Sequence, residues 1–575
     1  MRRLLVFTML LLVLSAGLPA AAAVPRISVS FPESAGPGPL TGRLLLIFSP
    51  RAEGEPRSHV AWDGDAIPFY GMDVEGWQAG QRQQFDIRAA GFPLRTLDDL
   101  PDGEYRVQAV LNRYEKFTRS DGWTLWLPPD KWEGQVWHRK PGNLYSNPVT
   151  VRVGDGQSDP IHLVLDQAIP EVEAFEGMQT DYVRYLRIRS ERLSKFWGRD
   201  TYLAAWVRLP WGYHDHPSAR YPLVISHGHF PAAPDGFRET PPDPDLPPEY
   251  SKRFQLEGYN RIQQEYAWQA HQDWIAPGFP RVLLVEIQHP TPFYDDSYAV
   301  NSANNGPYGD AIQYELIPAI EKEFRALGTG WSRFVYGGST GGWESMAVQM
   351  FYPDDYNGAW IACPDPIDFR HYVQVDIYKD RNAYVTANPY KRTPRPAHRN
   401  WLGHVDATIE EQNRYETVLG TRGRSGDQWD AWESVYSPVG PDGYPRRVWD
   451  RETGAVDPVT AQYWRDNFDL AHILKRDWAT LGPKLRGKLR IYTGDMDNYY
   501  LNNAVYGVEE FLKSADPPAD AVVEYGDRAE HCWNGDHTRA NAYSRLRYPQ
   551  MVLPWVVERI LDTAPPGADI DSWRY

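Results

Sequence analysis

The sequence predicts an α/β fold: a doubly wound, mostly parallel β-sheet with a large helical insertion, preceded by a small all-β sandwich domain. Three observations predict it. From about residue 170, short apolar runs alternate with helix-period segments, the grammar of βαβ units. One run, Phe334-Val335-Tyr336, passes through Gly337-Gly338-Ser339-Thr340-Gly341-Gly342 into a helical segment, Trp343 to Met350. Before residue 170, β-branched and apolar segments are bounded by Pro, Gly and Asp turns.

Residues 1–23 carry the marks of a secretory signal peptide. Arg2 and Arg3 form a positive start, Leu4 to Leu14 an apolar stretch, and Ala21-Ala22-Ala23 a small-residue cleavage site. The stretch is short for a membrane anchor, so cleavage and a secreted or periplasmic location are expected. Residues 24–168 are expected to be a β-sandwich of immunoglobulin-like type. Strands are predicted at Arg26–Phe31, Arg43–Phe48, Glu104–Leu111 and Asn147–Val153. Residues 169–575 are expected to be the catalytic domain. Its strands are predicted at Tyr182–Ile188, Tyr202–Arg208, Pro222–Ser226, Arg281–Ile287, Ala359–Ala362, Lys488–Tyr492 and Ala521–Tyr525, with the Phe334–Tyr336 run among them. Asp310–Arg325 is an amphipathic helix with Pro318 inside it, and a last helix lies near Met551–Leu561. Residues 364–487 break the rhythm and hold Trp401, Trp429, Trp432, Trp449, Trp464 and Trp478. An insertion there lies on the carboxyl side of the sheet, so it is expected to form a helical cap over a pocket.

Strand, Gly-x-Ser-x-Gly, helix is the setting in which a serine becomes a nucleophile. The sharp turn exposes the hydroxyl of Ser339 and directs the Thr340 N–H toward the place where an oxyanion forms. A serine hydroxyl needs a base, and the base an orienting carboxylate. The predicted strand Lys488–Tyr492 runs into Thr493-Gly494-Asp495-Met496-Asp497, and the Gly-x-x-Asp spacing favours Asp497 over Asp495 as the acid. The next strand runs into a loop bearing His531, with His537 as the fallback base. A second oxyanion donor is expected from the loop Ser226-His227-Gly228-His229-Phe230, on the His229 N–H or else that of Phe230. His214-Asp215-His216 and the His227/His229 pair lack a third ligand at a recognised spacing, so neither a metal nor any other cofactor is expected. The two cysteines, Cys363 and Cys532, stand at strand ends on the same sheet edge. In an exported protein they predict a disulfide that pins the histidine loop over Ser339.

From about residue 180 to the C-terminus the chain resembles the putative-esterase branch of the α/β-hydrolases, which includes esterase D-like and feruloyl-esterase-like enzymes. The resemblance lies in Glu315-Leu316-Ile317-Pro318-Ala319-Ile320-Glu321, Gly337 to Glu344, Tyr352-Pro353-Asp354-Asp355-Tyr356, Gly494-x-x-Asp497 and His531-Cys532-Trp533. By position it implies Ser339 as nucleophile, Asp497 as acid and His531 as base. Thr340 departs from the more usual methionine or glutamine after the nucleophile, but only its N–H is required. The cap is a larger departure, and residues 24–168 are not covered.

The net charge of −16 disfavours nucleic acid or an anionic membrane as partner, and no later segment is apolar enough to span a bilayer. The expected activity is a serine esterase acting on a small-molecule or polysaccharide-linked ester through an acyl-enzyme. A serine peptidase, an acyltransferase and a non-catalytic binding module are the alternatives on the same scaffold.

Overall fold

The computed structural model describes residues 26–86, 89–154, 160–172, 175–229 and 236–575. The expected leader, residues 1–23, and Phe230 lie outside the described residues.

The N-terminal region owes its form to one strand that is apolar on both faces. Leu40–Ser49 is buried along its whole length and pairs antiparallel with Phe69–Trp77 and Gly103–Arg113. Side chains alternate across a strand, so Leu44, Leu46 and Phe48 point one way and Leu45 and Ile47 the other. The first set packs with Val29, Val107 and Leu163 between this sheet and a three-stranded sheet, in which Ile27–Ser30 lies between Ile161–Val164 and Gln83–Gln84. The second set packs with Phe69 and Phe92 against Tyr415, Val418 and Leu419, which belong to the insertion 364–487.

The second layer is an eight-stranded sheet. Its strands are β1 (Val183–Ser190), β2 (Thr201–Arg208), β3 (Leu223–His227), β4 (Leu283–Gln288), β5 (Arg333–Gly338), β6 (Ala359–Ala362), β7 (Leu489–Gly494) and β8 (Val522–Gly526). They pair in the order β1-β2-β4-β3-β5-β6-β7-β8. The β1–β2 and β2–β4 pairs are antiparallel and all others parallel. Parallel strands need crossovers, and helices supply them. Among these are α1 (Tyr259–Ile275), between β3 and β4, and α2 (Thr340–Phe351), between β5 and β6. The segment predicted as one helix around Pro318 is α-helical at Tyr308–Ala311 and Ile317–Glu323, with a π-helical turn, Ile312–Leu316, between them. Proline lacks an N–H and crowds the carbonyl four residues back, and the wider turn relieves both.

The chain crosses from β5 to α2 at Ser339, whose φ of 61° and ψ of −122° lie outside the regions ordinary residues favour. Two close approaches fix this turn. A Cβ on Gly341 would stand 2.0 Å from the carbonyl oxygen of His227 at the end of β3, and one on Gly342 2.4 Å from that of Ala362 at the end of β6. Glycine is therefore a steric requirement at both positions.

The insertion holds α3 (Ile409–Leu419), α4 (Gln428–Tyr436), α5 (Pro458–Asn467) and α6 (Leu470–Leu485). Each start carries a side-chain cap: Thr408 with Glu411 in a capping box, then Asp427, Asp457 and Asp469. The last helix, α6, packs on α2 and leads into β7, so it belongs to the layer on the sheet. Two short hairpins, Val385–Ala387 with Arg392–Pro394 and Pro396–Arg399 with Val405–Thr408, also lie in the insertion. Their arginines and prolines hid them from a reading based on apolar alternation. Trp429, Trp432, Trp449 and Trp464 surround Tyr372, with ring centroids 5.1–5.6 Å from it. Such edge contacts add about 0.5–1.5 kcal/mol each beyond area burial. Buried Asp430 and Glu433 are matched by Arg447 and Arg451.

Arg43 joins the N-terminal sheet to this insertion. Its buried guanidinium donates to the carbonyls of Val418 (2.8 Å) and Thr417 (2.9 Å) and pairs with Asp73 (3.1 Å). Arg43→Ala takes the donor from the buried Val418 carbonyl and the part-buried Thr417 carbonyl, while Asp73 keeps Arg424 at 3.0 Å, at an expected cost of about 2 kcal/mol. The first unfolding transition in urea should fall accordingly. An unchanged midpoint would mean that the two regions do not stabilise one another.

Candidate active site

Parallel strands end at one edge of a sheet, and the loops that leave that edge meet there. β5 delivers Ser339, β7 delivers Asp497 and β8 delivers His531. Ser339 Oγ lies 2.9 Å from His531 Nε2, and His531 Nδ1 lies 2.7 Å from Asp497 Oδ2. The other oxygen of Asp497 accepts the N–H groups of Tyr499 (2.9 Å) and Leu501 (3.3 Å), so the carboxylate is held at both ends. The histidine loop is also fixed. His531 N–H donates to Asn498 Oδ1 (3.0 Å), and its carbonyl accepts from Arg253 (2.8 Å) and Asn541 (3.2 Å). Arg399, from a cap hairpin, donates to the Asp497 carbonyl at 3.0 Å.

The electrostatics follow from burial and pairing. Burial alone raises a carboxyl group, yet His531 and the two backbone N–H groups hold Asp497 below the usual carboxylate range. Burial alone lowers an imidazole, yet Cys532 and Asp497 outweigh it and raise His531 above its ordinary value.

The other predicted residues fall as follows. Asp495 does not reach His531: its N–H donates to the Gly526 carbonyl, and its own carbonyl accepts from Arg399. His537 pairs with Glu524 at 2.9 Å. Thr340 N–H is the first of α2 and has no acceptor within its helix. His229 follows Gly228 (φ 149°) at the end of β3 and lines the same cavity as Ser339. Its half-exposed ring lies 3.3 Å from Asp295 and 3.5 Å from Asp296, and these acids raise it above the ordinary imidazole value.

The expected disulfide is corrected: Cys363 and Cys532 are free thiols. They sit at the predicted edge, and their sulfurs lie with a His531 ring nitrogen within 4.8 Å of one another. Both hold left-handed backbone angles, φ 37° and 67°. The sulfur of Cys532 thus lies beside both an imidazole and a thiol.

Three groups of ligand-type side chains come together among the described residues: Cys363–His531–Cys532, His227–His289–Glu344 and His229–Asp295–Asp296. The first contains the histidine bound to Ser339. In the second, His289 Nδ1 accepts the Ser297 N–H at 3.0 Å, so a neutral ring carries its proton on Nε2, which faces Glu344 at 3.7 Å. That nitrogen is a donor, and its lone pair is not offered to a metal. His227 faces the other Glu344 oxygen at 3.7 Å. In the third, the His229 ring and the two carboxylates compensate one another. His216 stacks on Tyr575 at 3.5 Å, and His214 hydrogen-bonds to the Asp181 carbonyl.

The cavity over Ser339 has a volume of about 440 Å³, and beyond the cap tryptophans Trp429 and Trp432 the sequence reading missed several of its residues. Its walls include Trp429, Trp432 and Asp427 from the insertion, Tyr294 from the loop after β4, and Trp62 from the N-terminal region. Asp365 is the nearest. It follows Cys363-Pro364 at the end of β6, and Ser339 Oγ lies 3.4 Å from its Oδ1. Its place just past a strand end, on the edge already assigned to the site, was the available signal.

No family model matches the chain, and no curated protein matches it. Solved structures similar to it include a ferulic acid esterase, at 14% identity and a TM-score of 0.30, covering 66% of this chain and 98% of that one. An S-formylglutathione hydrolase from Agrobacterium tumefaciens is similar at 13% identity and a TM-score of 0.31, again over 66% and 98%. The fluorophosphonate-binding serine hydrolase F of Staphylococcus aureus is similar at 14% identity and 0.31, with the same coverage.

Proposed function

We propose that the protein is a serine esterase of α/β-hydrolase type, with residues 169–575 as its catalytic domain and residues 364–487 as the insertion that caps the site. One observation carries the reading: the continuous chain from Ser339 Oγ through His531 to Asp497, at 2.9 and 2.7 Å. That chain has the connectivity a hydroxyl needs to lose its proton at neutral pH. Residues 24–168 are the sandwich that seats the cap and lends Trp62 to the pocket. The leader-like residues 1–23 support export.

In this mechanism His531 Nε2 takes the Ser339 proton as the oxygen attacks the ester carbonyl. The Thr340 and His229 N–H groups receive the developing oxyanion. His531 then protonates the departing alkoxide, the C–O bond breaks, and the acyl group remains on Ser339. Water, deprotonated by His531, attacks the acyl carbonyl and releases the acid. Asp497 holds the ring orientation and stabilises the imidazolium in both halves. Aromatic walls suit an organic ester, including one attached to a sugar.

A fluorophosphonate probe should label the protein at Ser339 and leave Ser339→Ala unlabelled. An unlabelled native protein would contradict the esterase reading. Labelling without turnover of any short-chain or feruloyl ester would point to a peptidase or transferase.

Asp497→Asn should lower turnover by about 10⁴-fold. The pH profile provides a separate check. His531 accepts a proton only when neutral, and its pKa is raised, so activity should climb with pH along a limb lying above the ordinary imidazole value of 6.5. Removing the Asp497 charge should move that limb to lower pH. A limb that stays in place in Asp497→Asn would mean that the carboxylate does not act on His531.

A further inference from the structure

Asp365 is held beside the nucleophile by its own backbone. Its N–H donates to the Ser339 carbonyl at 3.1 Å, and its side chain is buried. The two carboxylate oxygens have unequal surroundings. Oδ2 accepts from Tyr298 Oη at 2.6 Å, Thr340 Oγ1 at 3.1 Å and Trp432 Nε1 at 3.1 Å, with Gln428 Nε2 at 3.5 Å. Oδ1 faces Ser339 Oγ at 3.4 Å, and among the described residues that hydroxyl is its only donor.

The hydroxyl has one proton, and His531 is the nearer acceptor at 2.9 Å. When Ser339 donates to His531, Oδ1 keeps no donor among the described residues and faces the cavity. A carboxylate oxygen left bare in a buried site is unfavourable. It also lies 3.4 Å from the attacking oxygen, where its charge raises the cost of the negative charge that develops nearby. Burial already pushes the Asp365 carboxyl up against the pull of its donors, in keeping with an incompletely compensated charge.

A substrate can cure both problems. The carbonyl carbon under attack lies one bond from Oγ, so a group one or two atoms away from it comes within reach of Oδ1. We propose that Asp365 is a specificity-determining residue whose Oδ1 accepts a hydrogen bond from a hydroxyl or ammonium group carried by the substrate next to its scissile ester. This inference deepens the esterase reading and rests on it. Tyr298, Thr340 and Trp432 position the carboxylate, so that one oxygen is anchored and the other is offered to the pocket.

The test compares four esters by pH-stat: ethyl propionate, ethyl 2-hydroxypropionate, ethyl 2-aminopropionate and 2-hydroxyethyl propionate. The native enzyme should turn over at least one donor-bearing ester with kcat/KM on the order of tenfold or more above ethyl propionate. The favoured ester identifies the donor as hydroxyl or ammonium, and as part of the acyl or the alcohol half. Asp365→Asn, nearly isosteric, should remove that preference, bringing kcat/KM on the favoured ester down to that variant's value on ethyl propionate. Four esters cleaved within about threefold of one another by the native enzyme would overturn the proposal, as would an equal loss on all four in Asp365→Asn. The latter marks a residue that merely holds Ser339. Should the variant fail to fold, the native ratios still decide. Fluorophosphonate labelling separates the two levels: an unlabelled native protein refutes the esterase reading itself, whereas a labelled but unselective enzyme refutes only the role of Asp365.

Discussion

The site depends on a single backbone turn. Ser339 faces His531 because the chain passes from strand to helix through an unfavourable conformation, and that conformation persists because the elbow is clamped between β3 and β6. The clamp is steric, with Gly341 against the His227 carbonyl and Gly342 against that of Ala362. It is also bonded, since Ser339 N–H donates to the Ala362 carbonyl at 3.1 Å and the Ser339 carbonyl accepts from Gly342, Trp343 and Asp365. Strain at one residue is borne by the packing of three strands.

A second constraint is charge. The pocket is lined by His531, Asp365, Asp427, Glu416 and Arg545, with Asp497 behind His531 and His229 beside its two acids. Most of these charges have a named partner: Asp497 has His531 and two N–H groups, and His229 has Asp295 and Asp296. Asp427 caps α4 through the Gln428 N–H, and burial raises its carboxyl to about 6. Asp365 keeps an oxygen whose one donor among the described residues is the Ser339 hydroxyl. In a buried pocket such an imbalance is informative, because the missing partner can arrive with the substrate.

Much of this was legible in the sequence, for reasons that can be named. Ser339 lies in a glycine pattern that only a tight strand-to-helix turn requires. Asp497 and His531 follow consecutive apolar strands whose ends must share an edge once the sheet is parallel. Spacing favoured Asp497 over Asp495, and it is the Asp497 carboxylate that meets the imidazole, at 2.7 Å. The unread parts depend on tertiary contacts that leave no periodic trace. Leu45 and Ile47 looked like the interior of a small sandwich, and no pattern showed that they face the insertion's helix α3. Trp62 reaches the cavity across that same junction. Asp365 carries no spacing rule, and the oxidised pairing expected of Cys363 and Cys532 gave way to a thiol pair beside His531.

The most direct test of the relay is to catch its intermediate. Native protein mixed with excess activated ester and quenched in acid within the first turnovers should gain the mass of one acyl group, carried by the peptide containing Ser339. An acyl group on any other residue, or ester turnover with no acylated protein under conditions that slow deacylation, would contradict the account.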